Sequence, residues 1–77
     1  MTATPRNPVD FNKLPGSKWT AVRPVGREKH FLVLDWVRDD AGRPTDHVVV
    51  EAVLSDRVTE LHWRELGKPD RWRVGWK

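Results

Sequence analysis

The chain has 77 residues, 38% hydrophobic and 32% charged, with a net charge of +3, five tryptophans and no cysteine. That length makes one domain, near the size at which burial alone barely sustains a fold. The lack of cysteine excludes disulfides and thiolate metal sites. No apolar run approaches the ~20 residues that span a membrane as a helix. The opening Met1-Thr-Ala-Thr-Pro-Arg-Asn-Pro8 lacks the apolar stretch of a signal peptide. A cytoplasmic protein without membrane contact is therefore expected.

Residues 1–13 hold Pro5 and Pro8 and few apolar groups. They are expected to be disordered or loosely attached, with residues 14–77 forming a single small β domain. Pro15-Gly16-Ser17 reads as a turn, and Lys18 to Arg23 as a short first strand. Val25 to Lys29 reads as a charged loop. The stretch His30 to Leu54 then reads as a β-hairpin: two runs rich in β-branched and aromatic residues flank Asp39-Asp-Ala-Gly-Arg-Pro-Thr45. Ser55-Asp56-Arg57 is a tight turn, and Val58 to Trp63 a fourth strand. Arg64-Glu65-Leu66 predicts one helical turn stopped at Gly67. Trp72 to Trp76 is either a second helical turn or a last short strand, and in both cases the spacing sets the two rings on one face.

Alternation along the hairpin predicts a register. Pairing Arg38 with Asp46 keeps the purely apolar sides together and sets Trp36 opposite Val48, Leu34 opposite Val50 and Leu32 opposite Ala52. A slip of one residue would put Asp35 and Glu51 in the core. The expected core is Trp19, Leu32, Leu34, Trp36, Val48, Val50, Leu61 and Trp63. The other side (Phe31, Val33, Val37, Val49, Val53) is also apolar and needs partial cover. The expected fold is therefore all-β: a small curled antiparallel sheet or SH3-like barrel of four to five strands, with one short helical turn near the C-terminus. A buried Trp removes ~200 Å² from water, or about 5 kcal/mol gross at ~25 cal/mol/Å². Five of them therefore anchor a small core.

The runs Leu14-Pro-Gly-Ser-Lys-Trp-Thr-Ala-Val22 and Arg27-Glu-Lys-His-Phe31 resemble a family of small tryptophan-rich bacterial proteins. Glu51-Ala-Val-Leu54, Trp63-Arg-Glu-Leu66 and the closing Trp72…Gly75-Trp76-Lys77 resemble that family's remaining blocks. The likeness covers about residues 12–77. It implies a bacterial origin and a stand-alone domain. It transfers no catalytic or binding residue.

The residues themselves offer little catalysis. His30, His47 and His62 lack helical metal-ligand spacing, and the register above puts His30 and His47 on opposite faces. Ser17 and Ser55 sit in turns, and Asp39-Asp40 in the hairpin loop. The glycines are scattered singly, so there is no phosphate loop. No enzyme, metal or cofactor is expected. Charge is uneven along the chain. Residues 1–29 carry six Lys/Arg against two acids, residues 30–56 two against six, and residues 57–77 six against three. Basic residues interleave with aromatics at Arg71-Trp72-Arg73, Trp76-Lys77, Trp63-Arg64 and Lys18-Trp19. Such surfaces stack unpaired bases and track phosphates. The leading expectation is single-stranded nucleic-acid binding, RNA before DNA. Arg64, Arg71, Arg73 and Lys77 would meet phosphates, Arg27 and Lys29 would extend the patch, and Trp72 or Trp76 would stack. The alternative is a protein–protein module or homodimer, docking through the hairpin's apolar second face or its edge strand.

Overall fold

The computed structural model describes residues 6–77. Its elements are a 3-10 turn Phe11–Lys13, strands β1 (Lys18–Val25), β2 (Glu28–Arg38), β3 (Pro44–Ala52) and β4 (Arg57–His62), helix α1 (Trp63–Leu66) and strand β5 (Trp72–Val74). The strands form one antiparallel sheet in the order β4-β3-β2-β1-β5. β4 and β5 lie at its two edges and do not pair. The fold is thus all-β with five strands and one helical turn, an open sheet rather than a closed SH3-like barrel. The strands of the central hairpin are both interior, so neither is an edge.

Each connection follows from its residues. β1 and β2 meet in a two-residue turn between Val25 and Glu28, with Gly26 at φ +61° and Arg27 at φ +67°. That is the twist-matched hairpin geometry, and Arg is an uncommon residue for it. The β2–β3 loop closes on Asp39, whose carboxylate accepts from Ala41 and Arg43 N–H, both at 2.9 Å. His62 caps α1 by accepting from Arg64 N–H through Nδ1 at 3.1 Å. α1 ends at Gly67, which keeps a right-handed φ of −75°. A Cβ there would meet the Arg64 carbonyl at 3.3 Å, so close approach is what suits this position to glycine.

The register of the central hairpin departs from simple alternation. Trp36 does pair with Val48. One residue further along, Val33 pairs with Val50 and Asp35 with Val49, so Leu34 is an extra residue on β2, a β-bulge. Beyond it Leu32 pairs with Glu51 and Phe31 with Ala52. The bulge switches the parity of β2, so that Phe31, Val33 and Trp36 all point to the side of Val48, Val50 and Ala52. Leu34 is then 42% exposed and Leu32 only half-buried. The expected Leu34–Val50 and Leu32–Ala52 pairs do not form, nor does Arg38–Asp46, since a second irregularity beyond Trp36 pairs Arg38 with Pro44, and Phe31 and Val33, expected on the second side, lie in the core. Asp35 and Glu51 stay on the opposite side, which removes the objection to this register.

The core is Leu14, Trp19, Phe31, Val33, Val48, Val50, Ala52 and Leu66, with Val9, Ala21, Trp36, Leu61, Trp63 and Trp72 packed around it. It lies on one face of the sheet, the covered face. α1, Leu14 and the segment before it close that face. Asn7 fastens the segment: its N–H donates to Gly67 O at 2.9 Å, and its side chain donates to Leu66 O and Trp72 O at 3.0 and 2.6 Å. Phe11 sets its edge on Trp63 (4.8 Å, 88°) and lies 5.9 Å from Trp36. The attachment expected to be loose takes this form from residue 6 onward; residues 1–5 lie outside the described residues.

Candidate nucleic-acid interface

The basic and aromatic residues singled out in the sequence fall in three places. Arg71 and Trp72 line a recess of about 390 Å³ on the covered face, between β1, β2 and β5. Its floor is Ala21, Phe31 and Trp72, exposed Val25 stands at its wall, and its rim carries Arg23, Arg57, Arg71, Glu28 and Asp70. Trp72 reaches the floor because β5 pairs with β1, setting Trp72 beside Ala21. Its ring stands edge-on to Phe31 at 5.0 Å. Arg71 is fixed by its backbone, whose carbonyl accepts from Val22 N–H at 2.9 Å, and its side chain is left exposed. The turn bearing Arg27 adjoins the recess, since Val25 and Glu28 on either side of it line the wall. Exposed Lys29 follows on β2.

The rim is not uniformly charged. Arg57 donates to Glu28 from Nη2 at 2.6 Å and from Nε at 3.0 and 3.1 Å. Those hydrogen bonds first, and one from the Ser55 hydroxyl second, hold the Glu28 carboxyl down at about 2. Glu28 therefore stays ionised and balances Arg57. Among the described residues Arg23, Arg71 and Asp70 enter no ion pair. The recess thus joins a stacking floor to two unspent guanidinium groups, an arrangement suited to a flat ring that carries an anion.

Trp76, Arg73 and Lys77 are elsewhere. Gly75 turns the chain with φ +82°, and Trp76 crosses to the opposite, open face. There its indole N–H donates to Phe31 O at 3.0 Å, its ring lies 5.7 Å from His30, and Lys18 Nζ sits 4.7 Å from its centroid. Thr20, 3% exposed, clasps this tail: its hydroxyl donates to Gly75 O at 2.6 Å and accepts from Lys77 N–H at 2.9 Å. Arg73 pairs with Thr20 on the same face. Trp72 and Trp76 therefore do not share a face as their spacing predicts, because the left-handed glycine breaks the alternation between them. Arg64 lies at the far end of the covered face over Trp63, 5.5 Å from its ring.

Residue order alone does not point to Arg23, Arg57 or Phe31 as site residues. Nothing local marks the first two, since they meet Arg71 only through long-range pairing. Phe31 falls on the other face than alternation predicts, because of the bulge. The same bulge brings His30 and His47 onto one face, at opposite ends of the hairpin. Asp46 instead bridges His47 at 2.9 Å and His62 at 3.2 Å. Among the described residues no group of three His, Asp or Glu is arranged to hold a metal, and no helix is long and apolar enough to cross a membrane.

Fold and site together define a class, a small open β-sheet domain whose rings sit on both of its faces. More particularly, the chain belongs to the tryptophan-rich protein family DUF2389, whose model matches residues 17–77. That span contains all five strands and all five tryptophans. No curated protein and no solved structure matches the chain.

Proposed function

We propose that the protein is a non-enzymatic module of the bacterial cytoplasm that binds single-stranded nucleic acid, RNA in the first instance, in the recess of the covered face. The observation that carries this reading is the convergence of Trp72, Phe31, Arg23 and Arg71 on one open hollow of base size. A base lies against the aromatic floor, and the flanking phosphates meet the two unpaired arginines. Arg27 and Lys29 at the mouth continue the cationic track. Arg73, Trp76 and Lys77 face the other way and are not part of this site.

The test is a titration with a short single-stranded RNA at low and high salt, following all five indole N–H signals by NMR. The Trp72 signal is expected to move while that of Trp76 stays. Affinity should fall with salt, and Arg71→Ala or Arg23→Ala should reduce both affinity and the salt slope, by about 0.7 for each phosphate no longer neutralised. An unmoved Trp72 signal, or affinity unchanged in the Arg23→Ala/Arg71→Ala double variant, would overturn the proposal. The protein–protein reading draws on the open face instead.

A further inference from the structure

We infer that the open face of the sheet is the contact surface of a two-fold dimer, its occupant being a second copy of this chain. The inference stands apart from the nucleic-acid site, which lies on the other face. Two observations carry it.

The first is exposed apolar area. Val48, Val50 and Ala52 point inward, so Val49 and its neighbours across the strands face outward. The open face presents Leu34 (42% exposed), Val53 (41%), Val58 (52%) and Trp76 (42%) around half-buried Leu32 and Val49. No segment among the described residues covers this face beyond the Gly75–Lys77 tail. Large apolar side chains gathered on one exposed face of a small protein mark a contact surface.

The second is charge, and it selects the partner. One row of paired residues crosses the sheet as Lys18, Leu32, Glu51, Val58. On the β1/β5 side of Leu32 the open face carries Lys18, Arg73 and Lys77. On the β3/β4 side it carries Glu51 and Glu60, and on β2 itself Asp35, whose charge is met by Arg38 at 3.6 Å. Lys18, Arg73, Glu51 and Glu60 enter no ion pair among the described residues. A partner of one charge sign would be attracted by half of this face and repelled by the other half. A second copy turned about a two-fold axis parallel to β2 matches both halves at once. Leu32 then meets its own counterpart, and Lys18 of each copy lies over Glu51 of the other. The two sheets pack with aligned strands, as sandwiches do, and the contact is closed because the same patch serves both copies.

The test is the mass of the full chain in solution, measured by sedimentation equilibrium across a concentration series at low and high salt. The wild type should reach twice the chain mass, with a dissociation constant that rises with salt. Lys18→Glu alone and Glu51→Lys alone each put two like-charge contacts in the interface. Each should weaken the dimer at least ~100-fold. Mixed in equal amounts, the two variants should recover it, because both contacts are then of opposite sign. Val49→Asp, near the centre, should be monomeric at every salt. A wild type that stays monomeric at millimolar concentration overturns the inference. So does a mixture that stays monomeric while each variant keeps a dispersed amide spectrum. All three substitutions lie outside the core, Lys18 exposed and Val49 and Glu51 half-buried, and the wild-type series decides by itself if a variant fails to fold.

Discussion

The two faces of this sheet use the same kinds of residue for different ends. On the covered face Leu14, Val33, Val48, Val50 and Leu66 are essentially removed from water, and Trp63 and Trp72 meet Phe11 and Phe31 edge to face. On the open face Leu32, Leu34, Val49 and Val58 alternate with Lys, Glu and Asp, and the one indole, Trp76, donates its N–H to Phe31 O while the Thr20 hydroxyl donates to Gly75 O in the tail that carries it. Hydrophobic content alone does not separate the faces. What separates them is whether a second layer of chain lies on top: among the described residues α1, Leu14 and residues 7–13 cover one side, and only residues 75–77 reach the other. Stability therefore belongs to one face, and the other is left for contact.

The sharpest way to test that contrast is to make one substitution on each side. Leu66→Ala opens a cavity under α1 and should cost about 2–5 kcal/mol, measured by urea unfolding at a concentration low enough to keep the chain monomeric. Leu34→Ala should cost no more than about 0.5 kcal/mol under the same conditions. Equal effects would mean that the faces are not distinct in the way described. A smaller effect than that of Leu66 is expected at the clasp between them. Thr20→Val removes the hydroxyl that serves Gly75 O and Lys77 N–H, and should cost about 1 kcal/mol. It should also release Trp76, seen as faster quenching of one indole with the other four unchanged.

The smallest effect concerns the rim of the recess. Glu28 is held well below its ordinary value of 4.5, at about 2, by Arg57 before Ser55. A carboxylate lowered in this way stabilises the fold above its unfolded value, and that contribution is lost as pH falls through the folded one. The stability difference between wild type and Arg57→Gln should therefore be constant from neutral pH down to about 4.5. It should shrink below that and be lost as pH falls through about 2, as acid-titrated thermal melts will show. A difference undiminished at pH 2 would mean that Arg57 acts through packing and not through Glu28.

Much of the architecture is legible in residue order alone. The hairpin, the fourth strand, the single helical turn at Arg64-Glu65-Leu66 and the Trp36–Val48 pair are all visible there, because alternation and turn residues are local signals. The bulge is not, and with it goes the assignment of Phe31, Val33, Leu32 and Leu34 to faces. Alternation reports parity within a strand. It cannot report one inserted residue that lets Asp35 stay outside while Val33 turns in. The same limit governs the site. Arg71-Trp72 can be picked out as a pair, but their companions Arg23 and Phe31 arrive by pairing between the two ends of the domain. Trp76 lies on the other side from the one its spacing predicts because a glycine with positive φ reverses the alternation.

The place of β5 beside β1 also bears on how the molecule is made. Synthesis delivers β1, β2, β3 and β4 in order, and each can pair with the strand before it as it emerges. β1's other neighbour comes last, several seconds later at about 5–20 residues per second. Through that interval the backbone edge of Lys18–Ala21 stands open, and Phe31 lacks the ring that will close over it. The residues along that waiting edge suit the delay. Lys18 at its start is charged, and just past its end Arg23 is charged and Pro24 cannot donate to a ladder, features that deter a stray strand from adding there. The nascent sheet is guarded at the seam it must leave open longest.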